Sequence, residues 1–226
     1  MTRSPHRLVL VVALTAGALS AAAGVRAATA AAAAILADKA CYVNTNPSVG
    51  APMMISGVGF IPGDTVAIAG SGVSTTATVG PTGDFVASMK APILSRPGPG
   101  TMRTTLTATD QGNHAVSATT LLQATNLAVS AKPGSVRNVR KDKVTFNFSG
   151  FTPGKRIYGY YMRKKVVAKA RFGKATGPCG TLHQRALLYP GGHPRSSRYD
   201  VTFESTSRYS KTAFPRVTGK LTILHL

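Results

Sequence analysis

The chain has no tryptophan, only two cysteines and only seven carboxylates among its 226 residues. So few acids leave little room for paired-carboxylate acid–base chemistry or for an oxygen-ligand metal site. No phosphate-binding loop, dinucleotide fingerprint or G-x-S-x-G elbow is present, so no cofactor is expected. The histidines, His6, His114, His193 and His225 besides His183, have no paired zinc spacing. Beyond the first 27 residues there is no second apolar span, and no window has a clear 3.6-residue period. What is abundant points elsewhere. Twenty-three glycines and 14 prolines spread along the chain argue for turn-rich β structure, and 43% hydrophobic residues are enough for a packed core.

The sparse acids make the chain strongly basic, with 27 Lys+Arg and a net charge of +20, and that charge is unevenly placed. Residues 1–37 hold Arg3, Arg7 and Arg26 with no acid. Residues 38–124 balance four cations against Asp38, Asp64, Asp84 and Asp110. Residues 125–226 set 20 cations against Asp142, Asp200 and Glu204. Such asymmetry favours two domains with different surfaces and localises any electrostatic function to the second.

The N-terminal segment reads as a targeting signal. A basic start precedes the apolar run Leu8–Gly24, and small residues follow, which suits a signal peptide over 1–27 and an alanine-rich arm over 28–37. An uncleaved anchor is the alternative reading. Lipid attachment at Cys41 is disfavoured, because Asp38-Lys39-Ala40 precedes it instead of small apolar residues.

An internal repeat organises the remainder. Ser56-Gly57-Val58-Gly59-Phe60-Ile61-Pro62-Gly63 is echoed by Ser149-Gly150-Phe151-Thr152-Pro153-Gly154, with Phe60/Phe151, Pro62/Pro153 and Gly63/Gly154 each 91 residues apart. That is about the length of one β-sandwich domain. Period-2 alternation supports strands: Met102, Thr104, Leu106 and Ala108 share a face, as do Val144, Phe146 and Phe148, and Tyr199, Val201 and Phe203. Gly80–Asp84 and Thr109–His114 supply turns, and a hairpin from Ile157–Met162 to Val166–Phe172 would turn at Arg163-Lys164-Lys165.

The run from Val49 to Thr120, through "SGVGFIPGDTVAI", "GPTGDFVASMKAP" and "PGTMRTTLTATDQGNHAVSATT", resembles the bacterial immunoglobulin-like domains of secreted and surface proteins, particularly of high-GC Gram-positive bacteria. The second half resembles them through "SGFTPGKRIYGYY" and a terminal strand at Lys220–Leu224. The resemblance implies an all-β chain of two tandem immunoglobulin-like β-sandwich domains, 38–124 and 125–226, with spacer, adhesion or carbohydrate-contact roles. Its motifs carry fold and not function.

Few residues invite chemistry. Cys41 and Cys179, in a chain expected in an oxidising compartment, could bridge the domains, stay as buried thiols or pair between molecules. A Cys179–His183 nucleophile pair would make a hydrolase or transpeptidase, but residues four apart meet readily only on a helix, which Gly177, Pro178 and Gly180 oppose. Asp110-Gln111-Gly112-Asn113 has a calcium-loop flavour but lacks the later bidentate Glu, so a hairpin turn is expected. The basic half is the remaining signal. Arg163, Lys164, Lys165, Lys169, Arg171 and Lys174, interleaved with Tyr158, Tyr160, Tyr161 and Phe172, form the candidate anion-binding set. Export argues against an intracellular nucleic acid. An anionic wall polymer, an acidic glycan, extracellular DNA or an anionic membrane surface is the expected partner class, and a protein partner for the β edges is the structural rival.

Overall fold

A computed structural model of the chain describes residues 32–139, 141–192 and 195–224, and among them it contains strands and turns but no helix. The expected signal peptide over 1–27 lies outside these residues, as does the 28–31 stretch of the arm. Two apolar cores are each enclosed by two sheets. Around the first, one sheet has the order β1 (Ala34–Ala37), β3 (Pro52–Val58), β6 (Phe85–Lys90). The other has the order β2 (Tyr42–Asn44), β8 (Ser117–Asn126), β7 (Thr101–Asp110), β4 (Thr65–Gly70), β5 (Val73–Thr78). Around the second, β13 (Leu182–Leu187), β10 (Lys143–Ser149) and β9 (Ala128–Lys132) face β12 (Val166–Lys174), β11 (Arg156–Met162), β14 (Ser197–Glu204) and β15 (Arg216–Ile223).

Alternation builds both cores. In β3 every second residue, Met53, Ile55 and Gly57, is buried, while Pro52, Met54, Ser56 and Val58 face out. Ile55, Phe60, Ile68, Phe85, Leu106 and Leu122 fill the first core. The second is more aromatic: Phe146, Phe148, Phe172 and Phe203 touch one another with ring centroids 4.9–6.0 Å apart, mostly edge-on or tilted. Such pairs add to the burial of 150–250 Å² per ring.

The repeated motif performs the same local task twice. The Phe60 N–H donates to the Gly83 carbonyl at 3.1 Å, and the Phe151 N–H to the Gly180 carbonyl at 3.2 Å. Both glycines have positive φ, and a Cβ on either would strike the backbone oxygen of the facing phenylalanine. Gly63 and Gly154 close the equivalent turns, donating to Val79 and Ala175.

Two boundaries differ from the expectation. Residues 34–37, expected in the arm, form β1, whose Ile35 turns into the core and whose backbone pairs with β3 through Ala34↔Val58 and Ala37↔Ile55. A buried isoleucine outweighs the helix-favouring alanines around it. The halves also meet at Leu127, not at 124/125, because β8 continues to Asn126 and β9 begins at Ala128.

This one-residue connection is braced by specific contacts. The Leu127 N–H donates to the Asn44 carbonyl at 2.9 Å, and the Ser149 hydroxyl to the Asn126 carbonyl at 2.6 Å. Cys41 and Cys179 form a disulfide across the same junction, with Cα atoms 5.3 Å apart. Of the three cysteine states the sequence left open, the interdomain bridge is the one formed. Closing a 138-residue loop removes unfolded-state entropy worth about 5 kcal/mol in the chain-entropy model if both halves unfold together. Thermal unfolding of Cys41→Ser/Cys179→Ser is expected to begin at lower temperature and to split into two transitions by calorimetry. A single transition at the parent temperature would show that the bridge does not couple the halves.

Asp110 is fully buried and organises the β7–β8 turn: its Oδ1 accepts the N–H groups of Gly112 and Asn113 at 3.0 and 3.1 Å, and its Oδ2 that of Ile61 at 3.3 Å. It is a turn residue, and no cluster of metal-ligating groups surrounds it among the described residues. The Asp64 carboxyl lies beside the same turn, next to Gly112 and the Asp110 carboxyl. Burial and that contact raise Asp64 above the usual carboxylate range, whereas for Asp110 the N–H donors outweigh burial and hold it below. Ionised Asp110 therefore stabilises the fold above its ordinary pKa, and that contribution is lost as pH falls through its lowered value. Protonated Asp64 contributes below its ordinary pKa and loses its contribution as pH rises through its raised value. Asp64→Asn should raise the melting temperature at neutral pH and do much less near pH 3. An effect of equal size at both pH values would contradict the raised Asp64 carboxyl.

Candidate anion-binding face

The predicted hairpin forms: β11 and β12 pair antiparallel, and the turn is closed by the Arg163 N–H donating to the Lys165 carbonyl at 3.2 Å. Arg163, Lys164 and Lys165 are all exposed at this turn. Along β12, Ala170 and Phe172 point into the core while Lys169 and Arg171 point out. Strict alternation would put Lys174 on the core side. A bulge prevents this: Tyr158 pairs with Arg171 but Arg156 pairs with Lys174, so β12 has one extra residue there. Residues paired directly across strands share a face. Lys174 therefore joins Arg156, Tyr158, Tyr160, Lys169 and Arg171 on the outward face.

The sequence-predicted set is thus brought together on one hairpin, extending about 30 Å from the turn to Lys174 at about 3.3 Å per residue. Its members do different things. Lys169 lies over the rings of Tyr158 and Tyr160, 4.7 and 5.6 Å from their centroids, and its ammonium donates to the Ser207 carbonyl. It clamps the loop between β14 and β15. That loop covers Tyr160, whose hydroxyl donates to the Thr206 carbonyl at 2.7 Å and whose ring meets Tyr209 edge-on. Burial, and secondarily the Glu204 charge, push the Tyr160 hydroxyl up to about 12. Fully buried Glu204 holds the same loop, accepting from the Thr206 hydroxyl at 2.6 Å and the Ser210 N–H at 3.0 Å. Arg216 grips its far end through the Lys211 carbonyl and the Tyr209 hydroxyl.

Arg163, Lys164, Lys165, Arg171 and Lys174 make no side-chain hydrogen bond or ion pair among the described residues, where the ion pair present is Lys39–Asp38 in the first half. Three cations outside the predicted set widen the face, and one acid, Asp200, lies among them opposite Lys220. Arg156 sits beside Lys174 and donates to the Phe172 carbonyl at 3.1 Å; Arg198 and Lys220 project from β14 and β15. The signal for Arg198 was present, since it alternates with core residues Tyr199 and Val201. So was that for Lys220, which alternates with Leu221 and Ile223 in the predicted terminal strand. The Cys179–His183 pair does not form: Cys179 is in the disulfide, and the His183 Nδ1 lies 2.5 Å from the Asn147 Oδ1.

No family model and no curated protein matches the chain. Among solved structures, a tetra-tandem repeat from the extending region of a large adhesion protein aligns at 14% identity, covering 84% of this chain and 49% of that one, with a TM-score of 0.27. A bacterial ice-binding adhesin aligns at 10% identity, 84% and 62% coverage and a TM-score of 0.29. The YadV chaperone aligns at 7% identity, 84% and 99% coverage and a TM-score of 0.29. The chain thus spans about half the length of the adhesion repeat. At these TM-scores the likenesses carry no argument about relationship or function.

Separating the clamp from the free cations yields a prediction. Lys169→Met should cost about 1 kcal/mol by urea unfolding, from a lost cation–π contact and a lost charged hydrogen bond. Arg171→Met should stay within about 0.5 kcal/mol, as an unpartnered surface residue. If the two variants are equally stable, Lys169 is not a clamp.

Proposed function

We propose that this is an exported, non-enzymatic envelope protein of two tandem immunoglobulin-like modules, in which the second retains an anionic wall polymer, acidic glycan or anionic lipid surface electrostatically. The observation that carries the reading is the set of five unpartnered cations, Arg163, Lys164, Lys165, Arg171 and Lys174, held on one hairpin whose strands pack into the core. A hairpin already formed and anchored in the core leaves mainly side-chain ends to be ordered on binding, which lowers its entropic cost. The N-terminal sequence and the disulfide support export. The neutral first module serves as spacer or docking surface; its outward β1–β3–β6 face exposes Leu36, Met54, Val58 and Val86.

Each cation near an anionic surface contributes about 1 kcal/mol, so neutralising three costs about 3 kcal/mol, or roughly 100-fold in affinity. In the full chain, Arg163→Gln/Lys164→Gln/Lys165→Gln should therefore weaken binding to phosphatidylglycerol vesicles and to purified anionic wall polymer by that factor at low salt. The difference should shrink as salt rises. Unchanged binding by the triple variant, or parent binding insensitive to salt, would refute the reading.

A further inference from the structure

The two halves differ in how their final strands are covered. In the first, β8 pairs with β7 on one edge and on the other with β2, in parallel, through Tyr42↔Ala124, Val43↔Thr125 and Asn44↔Asn126. Tyr42 is 1% exposed and plugs the first core. In the second, the corresponding strand β15 pairs with β14 alone, and no described residue pairs with its other edge. The chain has a segment at the right place. Ala34 pairs with Val58 in β3 and Ala128 with Ser149 in β10, an equivalence that puts Val136-Arg137-Asn138 where Tyr42-Val43-Asn44 stand. There it forms no strand: Val136 and Val139 pack, partly buried, against the second core, and the segment turns back on itself, the Asn138 carbonyl accepting from Asp142 at 2.8 Å and from Lys141 at 3.2 Å and the Asp142 Oδ2 accepting the Asn138 N–H at 2.8 Å.

Between the unpaired edge of β15 and β9 runs a groove of about 260 Å³ lined by Phe146, Tyr161, Leu188, Val201, Phe203 and Leu221. It reaches the aromatic core. Tyr161 on its wall is 1% exposed, and its hydroxyl has no hydrogen-bond partner, a costly state for a buried polar group. Lys220 stands on the β15 side, paired across the sheet with Asp200 of β14 but without an ion pair to it. On the opposite side of this sandwich the sheets are joined, the Gly173 N–H of β12 donating to the Gln184 side chain of β13 at 2.6 Å.

We infer that the free edge of β15 and this groove form a docking site for an extended peptide of a protein partner, which adds as a parallel strand and seats one large aromatic or apolar side chain in the groove. The protein's own β2 shows what covers such an edge. Charge selects the partner: with three acids among 20 cations in this half, flanking residues that face Lys220 are acidic. Main-chain bonds to β15 supply affinity and the groove supplies specificity. The site is separate from the cationic turn and does not rest on polyanion binding.

The probe is a fluorescein-labelled peptide copying residues 40–46 with Cys41→Ser and a glutamate added at each end, titrated into the full chain by anisotropy. Saturable binding is expected, with at least a 10-fold loss when the peptide carries Tyr42→Asp. A similar loss is expected when the protein carries Ala131→Trp, which fills the groove from β9, whereas the Arg163/Lys164/Lys165 glutamine variant should bind within two-fold of the parent. Hydrogen exchange avoids dependence on a variant that might misfold: β15 amides should exchange faster than those of β8 in the free protein and slow on peptide addition. No saturation to about 1 mM, equal binding of the Tyr42→Asp peptide, protection confined to other strands, or β15 amides already as protected as β8 would each overturn the inference. The last result would mean that residues 133–139 cover the edge themselves.

Discussion

The second half of the chain must place 20 cations with only three carboxylates to pair them. An unpaired buried ammonium or guanidinium costs several kcal/mol, so these side chains go to water, to backbone carbonyls or to aromatic faces. All three solutions are used. Arg163, Lys164 and Lys165 occupy a tight exposed turn. Arg156, Lys169 and Arg216 are held by carbonyl oxygens. Lys169 and Arg216 also lie over tyrosine rings. The core beneath is rich in phenylalanine and tyrosine packed edge-on or tilted.

This constraint links fold to site. The hairpin that presents the free cations is the same one whose inward face supplies Ile157, Tyr161, Ala170 and Phe172 to the core. The strand carrying Arg171 and Lys174 is therefore anchored in the core, and Arg163, Lys164 and Lys165 sit on the exposed turn at its end. The clamp residues matter to the face indirectly, since they pin the β14–β15 loop over Tyr160 and leave the β12 side open.

Much of this was legible because it depends on short-range rules. The 91-residue repeat, the alternation in β7, β10 and β14, and the β11–β12 hairpin all follow from period 2 and turn chemistry. What escaped depends on long-range pairing. The bulge that turns Lys174 outward is an extra residue relative to a partner strand, invisible in one strand alone. β1 was hidden by alanines that suit an arm as well as an edge strand. Lys169 read as one more free cation because its carbonyl and ring partners lie up to 38 residues away. Of the six residues predicted for anion contact, five remain unpartnered and one became part of the scaffold.

On the proposed reading, contact with the envelope belongs to one cationic half. Lysine-reactivity footprinting of the full chain with and without isolated anionic cell walls tests it most directly. Lys164, Lys165 and Lys174 should lose reactivity on wall binding and regain it at high salt, while Lys39 and Lys90 in the neutral half stay unchanged. Equal protection across both halves, or protection that persists in high salt, would contradict it.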